Sequence, residues 1–137
     1  MKVIWTYGYK RRPLPPDQMV RVNIARGPCR WVPVHCHERS LAPSAETFRA
    51  ADWRPRYLAQ IQALHASGDL RRIVARLPEG CVLFCWEADW NDCHRKVLWD
   101  FLHEHYGVAG GELSLVAVAG LLDKSDKPDK LSGESRS

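Results

Sequence analysis

The stretch CVLFCWE at residues 81–87 constrains the fold more than any other part of the chain. It is almost unbroken in apolar character and too short for a globular helix, which is the pattern of a strand covered on both faces of its sheet. Strands of that kind belong to parallel sheets, whose crossover connections lay helices on both sides. Pro78-Glu79-Gly80 makes a turn into it and ADWND at 88–92 makes a loop out of it. Asn91 or Asp92 then stands where a helix over 93–106 would take its cap, and Gly107 ends that helix.

The remaining segments fit around this unit. VIWTY at 3–7 is β-branched and aromatic and predicts a first strand running into a turn at Gly8. KRRPLPPD excludes regular structure, because three prolines in four positions remove donors and fix φ. Alternation of Val20, Val22 and Ile24 with Arg21 and Asn23 predicts a second strand over 20–25, followed by the loop ARGPCRW. Residues 31–43 read as a brief strand opening into a polar loop. Tyr57, Leu58, Ile61 and Leu64 recur at helical spacing after the Trp53-Arg54-Pro55 break, and with Phe48 they are expected to be core packing. A shorter helix over 69–77 follows Gly68, and 113–118 is expected to be a last strand. The tail 123–137, rich in lysine, serine and aspartate, has little to bury and is expected to be disordered. There is no internal repeat. The expectation is one α/β domain over residues 1–122, with a mostly parallel sheet flanked by helices in a Rossmann-like three-layer sandwich.

A chain of 137 residues with 45% hydrophobic and 26% charged residues is of the size and composition of one packed domain. MKVIWTYGYKRRP lacks the long apolar region and cleavage site of a secretory signal, and no apolar run approaches the roughly 18 residues of a membrane span. A soluble cytoplasmic protein with no membrane partner is expected. The five cysteines (29, 36, 81, 85 and 93) are odd in number and irregular in spacing, so they read as free thiols or ligands and not as a disulfide framework.

Within CVLFCWEADWNDCHRKVLWDFL, Cys85, Glu87, Cys93, His94 and Arg95 resemble the pattern of an uncharacterised family, domain of unknown function number 488. In that family an apolar strand ends in Cys-x-Glu and, after a short loop, Cys-His-Arg opens a helix. WTYGY resembles the family's opening strand, and the path LPPD, IARGPCRW, LAPS resembles one of its shorter subgroups, so the likeness spans about residues 3–107. One departure is His35-Cys36-His37 in place of a plain polar loop. The resemblance implies an α/β sandwich and no particular reaction, so the chemistry has to be read from the residues.

At period 2, Cys85 and Glu87 share a strand face with Cys81 and Leu83, so Glu87 is expected to border the same crevice as the Cys85 thiol. The apolar face of the next helix, Val97, Leu98, Phe101 and Leu102, places His94 on the side that looks toward the strand end, with Cys93 and Arg95 flanking it. Helix amino termini favour anions, whether phosphate or thiolate. The expected site therefore binds, and is equipped to act on, an anionic or phosphate-bearing small molecule or nucleotide. Glu87, Cys93 and His94 are its candidate catalytic residues: Glu87 and His94 for proton transfer, Cys93 as a nucleophile activated by His94 and Arg95. Cys85 and Arg95 are its candidate substrate-binding residues. The bland alternative makes Cys85 a core thiol and Cys93 a space filler, with Arg95 pairing to Glu87 or an aspartate to pin the helix.

Two further readings stand beside this one. Cys85, Cys93 or His94 could combine with His35, Cys36 or His37 around a metal, although the chain has no short Cys-x-x-Cys or His-x₃₋₅-His pair of the structural zinc kind. No particular cofactor is indicated. The net charge of +4 is also uneven: residues 1–56 carry eleven Lys or Arg against four acids, and residues 57–137 carry nine against twelve. Lys10, Arg11, Arg12, Arg26, Arg30, Arg54 and Arg56 lie near Trp5, Tyr9, Trp31 and Trp53 in sequence. The alternative function is accordingly a noncatalytic nucleic-acid-associated module, with Lys10, Arg11, Arg12, Arg26 and Arg30 as its contacts and the cysteine cluster structural.

Overall fold

The structure, a computed structural model, describes residues 2–27 and 29–126. Its strands are β1 (Val3–Gly8), β2 (Arg21–Asn23), β3 (Cys36–His37), β4 (Cys81–Cys85) and β5 (Ala109–Glu112), and its helices are α1 (Ala45–Arg49), α2 (Trp53–Ser67), α3 (Asp69–Arg76), α4 (His94–Tyr106) and α5 (Leu115–Asp126). The strands form one sheet in the order β3-β2-β4-β1-β5, and every pairing is parallel. The architecture is the three-layer α/β arrangement expected from the sequence. Among the described residues no helix is long and apolar enough to cross a membrane.

β4 holds an interior position between β2 and β1, and all five of its residues are buried, as its apolar run requires. Phe84 is a centre of the packing: the Tyr9 ring stacks on it at 5.1 Å and the Tyr7 ring meets it edge-on at 5.9 Å. Arg21 and Asn23 of β2 are buried too, so the polar half of the expected alternation faces protein and not water. Arg21 is held by the carbonyls of Pro15 and Pro33, and Asn23 by the Tyr9 hydroxyl.

Several boundaries differ from expectation. β2 has only three residues, and the strand expected in 31–43 has only two. α2 begins at Trp53, so Pro55 lies inside its first turn and does not precede it; a missing N–H costs nothing there, because first-turn amides have no intrahelical partner. α1 was not expected: Ser44 caps it by accepting the Thr47 amide at 3.2 Å. Phe48, expected in the core, is 63% exposed, whereas Tyr57 and Ile61 are fully buried.

The C-terminal segment needs the largest correction. The last strand is β5, and most of the expected strand over 113–118 belongs to α5. Two glycines conceal β5 in the sequence, yet they let it approach β1 closely: a Cβ on Gly110 would stand 2.4 Å from the Ile4 carbonyl oxygen. Ser114 starts the helix by accepting the Ala117 amide at 3.0 Å, and Val118 turns into the core. Residues 123–126, assigned above to a disordered tail, are helical, and 127–137 lie outside the described residues.

Candidate functional site

With all strands parallel, the carboxyl ends of β1, β2, β4 and β5 lie along one edge, where Gly8 is in register with Cys85, Asn23 with Phe84, and Thr6 with Glu112. From β2 the chain moves outward to β3, while from β4 it crosses over β1 to β5. Connections that leave adjacent strands in opposite directions open a crevice between them, the usual ligand position in α/β sheets. A cavity of about 240 Å³ opens here, lined by Ala25 and Arg26 after β2, by Cys85, Trp86 and Glu87 from β4 onward, and by Cys93 and His94 at the start of α4. Thr47, Phe48 and Trp53 form its outer wall.

Cys93 is the residue before α4 and makes no side-chain capping bond, so neither Asn91 nor Asp92 caps this helix. Asp89 instead caps the short turn Trp90–Asp92 through the Asn91 amide. At the far end Gly107 closes α4 at φ 67, in the left-handed region, as its position in the sequence implied. His94 is in the first turn and only 8% exposed. One ring nitrogen, Nε2, lies 2.8 Å from the Ile24 carbonyl oxygen. A carbonyl only accepts, so Nε2 bears a proton in either charge state of the ring, and Nδ1 is the nitrogen turned toward sulfur. Nδ1 lies 3.1 Å from Cys85 Sγ and 4.0 Å from Cys93 Sγ. The Tyr57 ring meets the imidazole edge-on at 4.9 Å, and its hydroxyl donates to the Leu41 carbonyl, which fixes the ring plane.

The two thiols are pushed in opposite directions. For Cys93, burial raises the pKa, but hydrogen bonds with Cys85 and His94 and the charges of His94 and Arg95 together outweigh it and hold the thiol well below its ordinary range. For Cys85, burial acts first and the hydrogen bond and charge of Cys93 reinforce it, raising the pKa well above the ordinary value. The charged form is thus favoured on one thiol of the pair and disfavoured on the other. Although Nδ1 stands closer to Cys85, the favoured thiolate is that of Cys93, which has the helix amino terminus and the Arg95 guanidinium beside it.

Arg95 does not point into the cavity. It is fully buried, with Nε and Nη2 bonded to the two Glu112 oxygens at 2.9 and 2.8 Å and Nη1 to the Glu87 carbonyl at 2.7 Å. Glu112 also accepts from Arg11 at 2.5 Å and from Thr6 at 2.7 Å. Arg95 is thus not placed to bind substrate directly; its carboxylate partner is Glu112, and it meets Glu87 only through the backbone carbonyl. Two guanidinium groups share one carboxylate, which leaves one positive charge for the Cys93 thiolate to balance. Gly8 makes room for this arrangement: a Cβ there would stand 2.2 Å from the Glu87 carbonyl oxygen and 3.2 Å from Arg95 Nη2.

Glu87 lies at the rim, half exposed and 3.6 Å from Lys10 Nζ. The basic residues of the first half differ in their surroundings. Arg11 is drawn in to Glu112 and lies over the Tyr7 ring, and Arg12 bonds the Tyr9 and Arg11 carbonyls. Arg30 is exposed beside Trp31, which is 75% exposed. Arg26 stands apart from these, because it lines the cavity with its guanidinium 6.0 Å from the Phe48 ring centre and has no hydrogen bond or ion pair among the described residues. Sequence reasoning had grouped Arg26 with the nucleic-acid contacts and overlooked Glu112. The signal for Arg26 was its position directly after a strand; Glu112 sat in a glycine-rich stretch with no visible periodicity. His35, Cys36 and His37 lie on and beside β3 at the sheet edge, where His35 accepts the Arg21 amide and His37 contacts Asn23, and none of them lines the cavity.

A protein-family model described as "Domain of unknown function DUF488" matches residues 30–102, more than half of the chain. No curated protein and no solved structure matches it.

Proposed function

The chain belongs to the DUF488 family, and we propose that its β2–β4 crevice binds a small anionic molecule, such as a phosphate or carboxylate compound, and presents that molecule to the Cys85–Cys93–His94 cluster. The observation that supports this most is the position of Arg26. Arg26 has no hydrogen bond or ion pair among the described residues and lines a cavity that Cys85, Cys93 and His94 also line, and planar donor groups of this kind are suited to carboxylate and phosphate. Arg26 thereby takes the anion-binding role that the sequence had suggested for Arg95.

Size narrows the ligand. A cavity of about 240 Å³ is below the roughly 300–1,000 Å³ of pockets for drug-sized molecules, so a compact anion fits better than a dinucleotide. Phe48, Trp53 and Trp86 supply flat apolar surface for the rest of the ligand. His94 Nδ1 is the group placed to take or return a proton, Cys93 is the thiol that carries charge, and the Glu87 carboxylate stands at the rim as a second proton acceptor.

The test is a thermal-shift screen of the purified chain against inorganic phosphate, nucleoside monophosphates, sugar phosphates and small carboxylates, followed by titration calorimetry. At least one compact anion should raise Tm, and Arg26→Ala should weaken its binding tenfold or more while leaving the Tm of the free protein within a degree or two. If no anion raises Tm, or if Arg26→Ala and His94→Phe both bind as the unaltered chain does, the reading is wrong.

A further inference from the structure

Cys85 Sγ, Cys93 Sγ and a ring nitrogen of His94 all lie within 4.8 Å of one another, and all three residues are buried. Two sulfurs and one imidazole nitrogen make a soft donor set, suited to zinc and its chemical relatives and poorly suited to magnesium or calcium. With Zn–S near 2.3 Å and Zn–N near 2.0–2.1 Å, donors around a tetrahedral ion stand about 3.5–3.8 Å apart. The Nδ1–sulfur separations of 3.1 and 4.0 Å fall on either side of that range, so small side-chain adjustments would seat an ion.

Three other features favour a metal over an incidental cluster. First, a ligating histidine normally donates its second ring N–H to a carbonyl or carboxylate, which fixes the ring and makes it a better ligand; the Nε2 contact with the Ile24 carbonyl does this. Second, the donors sit at the end of a strand and at the start of a helix, elements whose backbones are already held by the sheet and the core. Third, two thiolates neutralise a divalent ion, and Arg95 is held on both Glu112 oxygens and does not line the cavity. The three protein donors leave a tetrahedral ion one position, and the cavity lies on the open side of the cluster.

We propose that Cys85, Cys93 and His94 Nδ1 form a binding site for a single zinc-type ion, with its fourth position open to the β2–β4 cavity. The donor set is complete without residues 35–37, which a sequence-level metal reading would have recruited. The inference rests on the proposed function only for the fourth ligand, which would be the bound anion.

The test uses the full chain, stripped with a chelator under reducing, oxygen-free conditions and checked for retained fold by circular dichroism. Cobalt(II) titration should saturate at one equivalent, with thiolate-to-cobalt charge-transfer absorption and the ligand-field bands of a tetrahedral ion, and zinc should bleach both. Cys85→Ser and Cys93→Ser should each reduce the charge-transfer intensity by about half, and Cys36→Ser should leave it unchanged. In case either serine variant fails to fold, the unaltered chain gives a second readout: zinc should protect Cys93 from alkylation and leave Cys36 reactive. Absence of a saturable spectrum, or protection of Cys36 in place of Cys93, overturns the inference. Anion titration of the stripped chain separates the two proposals. Anion binding without a cobalt spectrum removes the metal site alone, and a cobalt spectrum without anion binding removes the anion reading alone.

Discussion

Cys85 Sγ and His94 Nδ1 are 3.1 Å apart across the junction of β4 and α4, although they stand nine positions apart in the chain with a loop between them. The strand end fixes the sulfur, and the Ile24 carbonyl with the Tyr57 ring fixes the imidazole. The contact is therefore a property of the fold and does not wait for a ligand.

Thiol reactivity in the metal-free chain should follow the opposed environments of the cysteines. Cys93, held as a thiolate and lining the cavity, should react with iodoacetamide at neutral pH, and His94→Phe, which keeps a ring against Tyr57 but removes Nδ1, should slow that reaction about tenfold or more. Cys81, fully buried and pushed up to about 12 chiefly by burial, should remain unlabelled until the chain is denatured. Site-resolved mass spectrometry reads both. Rapid labelling of Cys81 in the folded protein would show that the core opens more readily than its packing implies.

Glu112→Gln should be costly far beyond the loss of one surface ion pair. It leaves the fully buried Arg95 guanidinium without its counter-charge, a change worth about 3–5 kcal/mol when one partner of a buried pair is removed. Urea unfolding should show the midpoint falling at an unchanged slope. A loss under about 1 kcal/mol would mean that water or another group compensates Arg95.

Gly8→Ala should disturb the site and the sheet together, because the added Cβ meets the Glu87 carbonyl oxygen at 2.2 Å and that carbonyl accepts from Arg95. A loss of roughly 1–3 kcal/mol is expected for such overpacking, along with weaker anion binding. Gly120→Ala is the matched control. It lies in α5 with nothing within 4 Å of the new methyl, and should stabilise by about 0.5–1 kcal/mol through helix propensity.

Ser114→Ala should cost about 1 kcal/mol by removing the cap on the Ala117 amide, and hydrogen exchange should rise first in the opening turn of α5. Exchange unchanged in that turn would assign the helix start to packing of Val118.

The strand–loop–helix unit was legible because its information is local. An unbroken apolar run, a helical stripe from Val97 to Leu102 and a terminating glycine are all contiguous, and together they place His94 toward the strand end. Partners brought together by sheet order were not legible. Arg95 meets Glu112 only because β5 lies beside β1, and Arg26 shares a cavity with Cys93 only because β4 inserts between β2 and β1. Local cues also went unread where they were short: Ser44 opens a five-residue helix, and Gly110 and Gly111 form a strand on backbone pairing alone.

The contact between Arg95 and Glu112 also has a temporal side. The carboxylate lies ten residues beyond the segment matched by the family model and on the last strand among the described residues. During synthesis the Cys-His-Arg segment leaves the ribosome before its counter-charge does, so a nascent chain holding every residue through α4 still has an unbalanced guanidinium where the thiolate should settle. Docking of β5 is then the step that gives the buried Arg95 guanidinium its counter-charge.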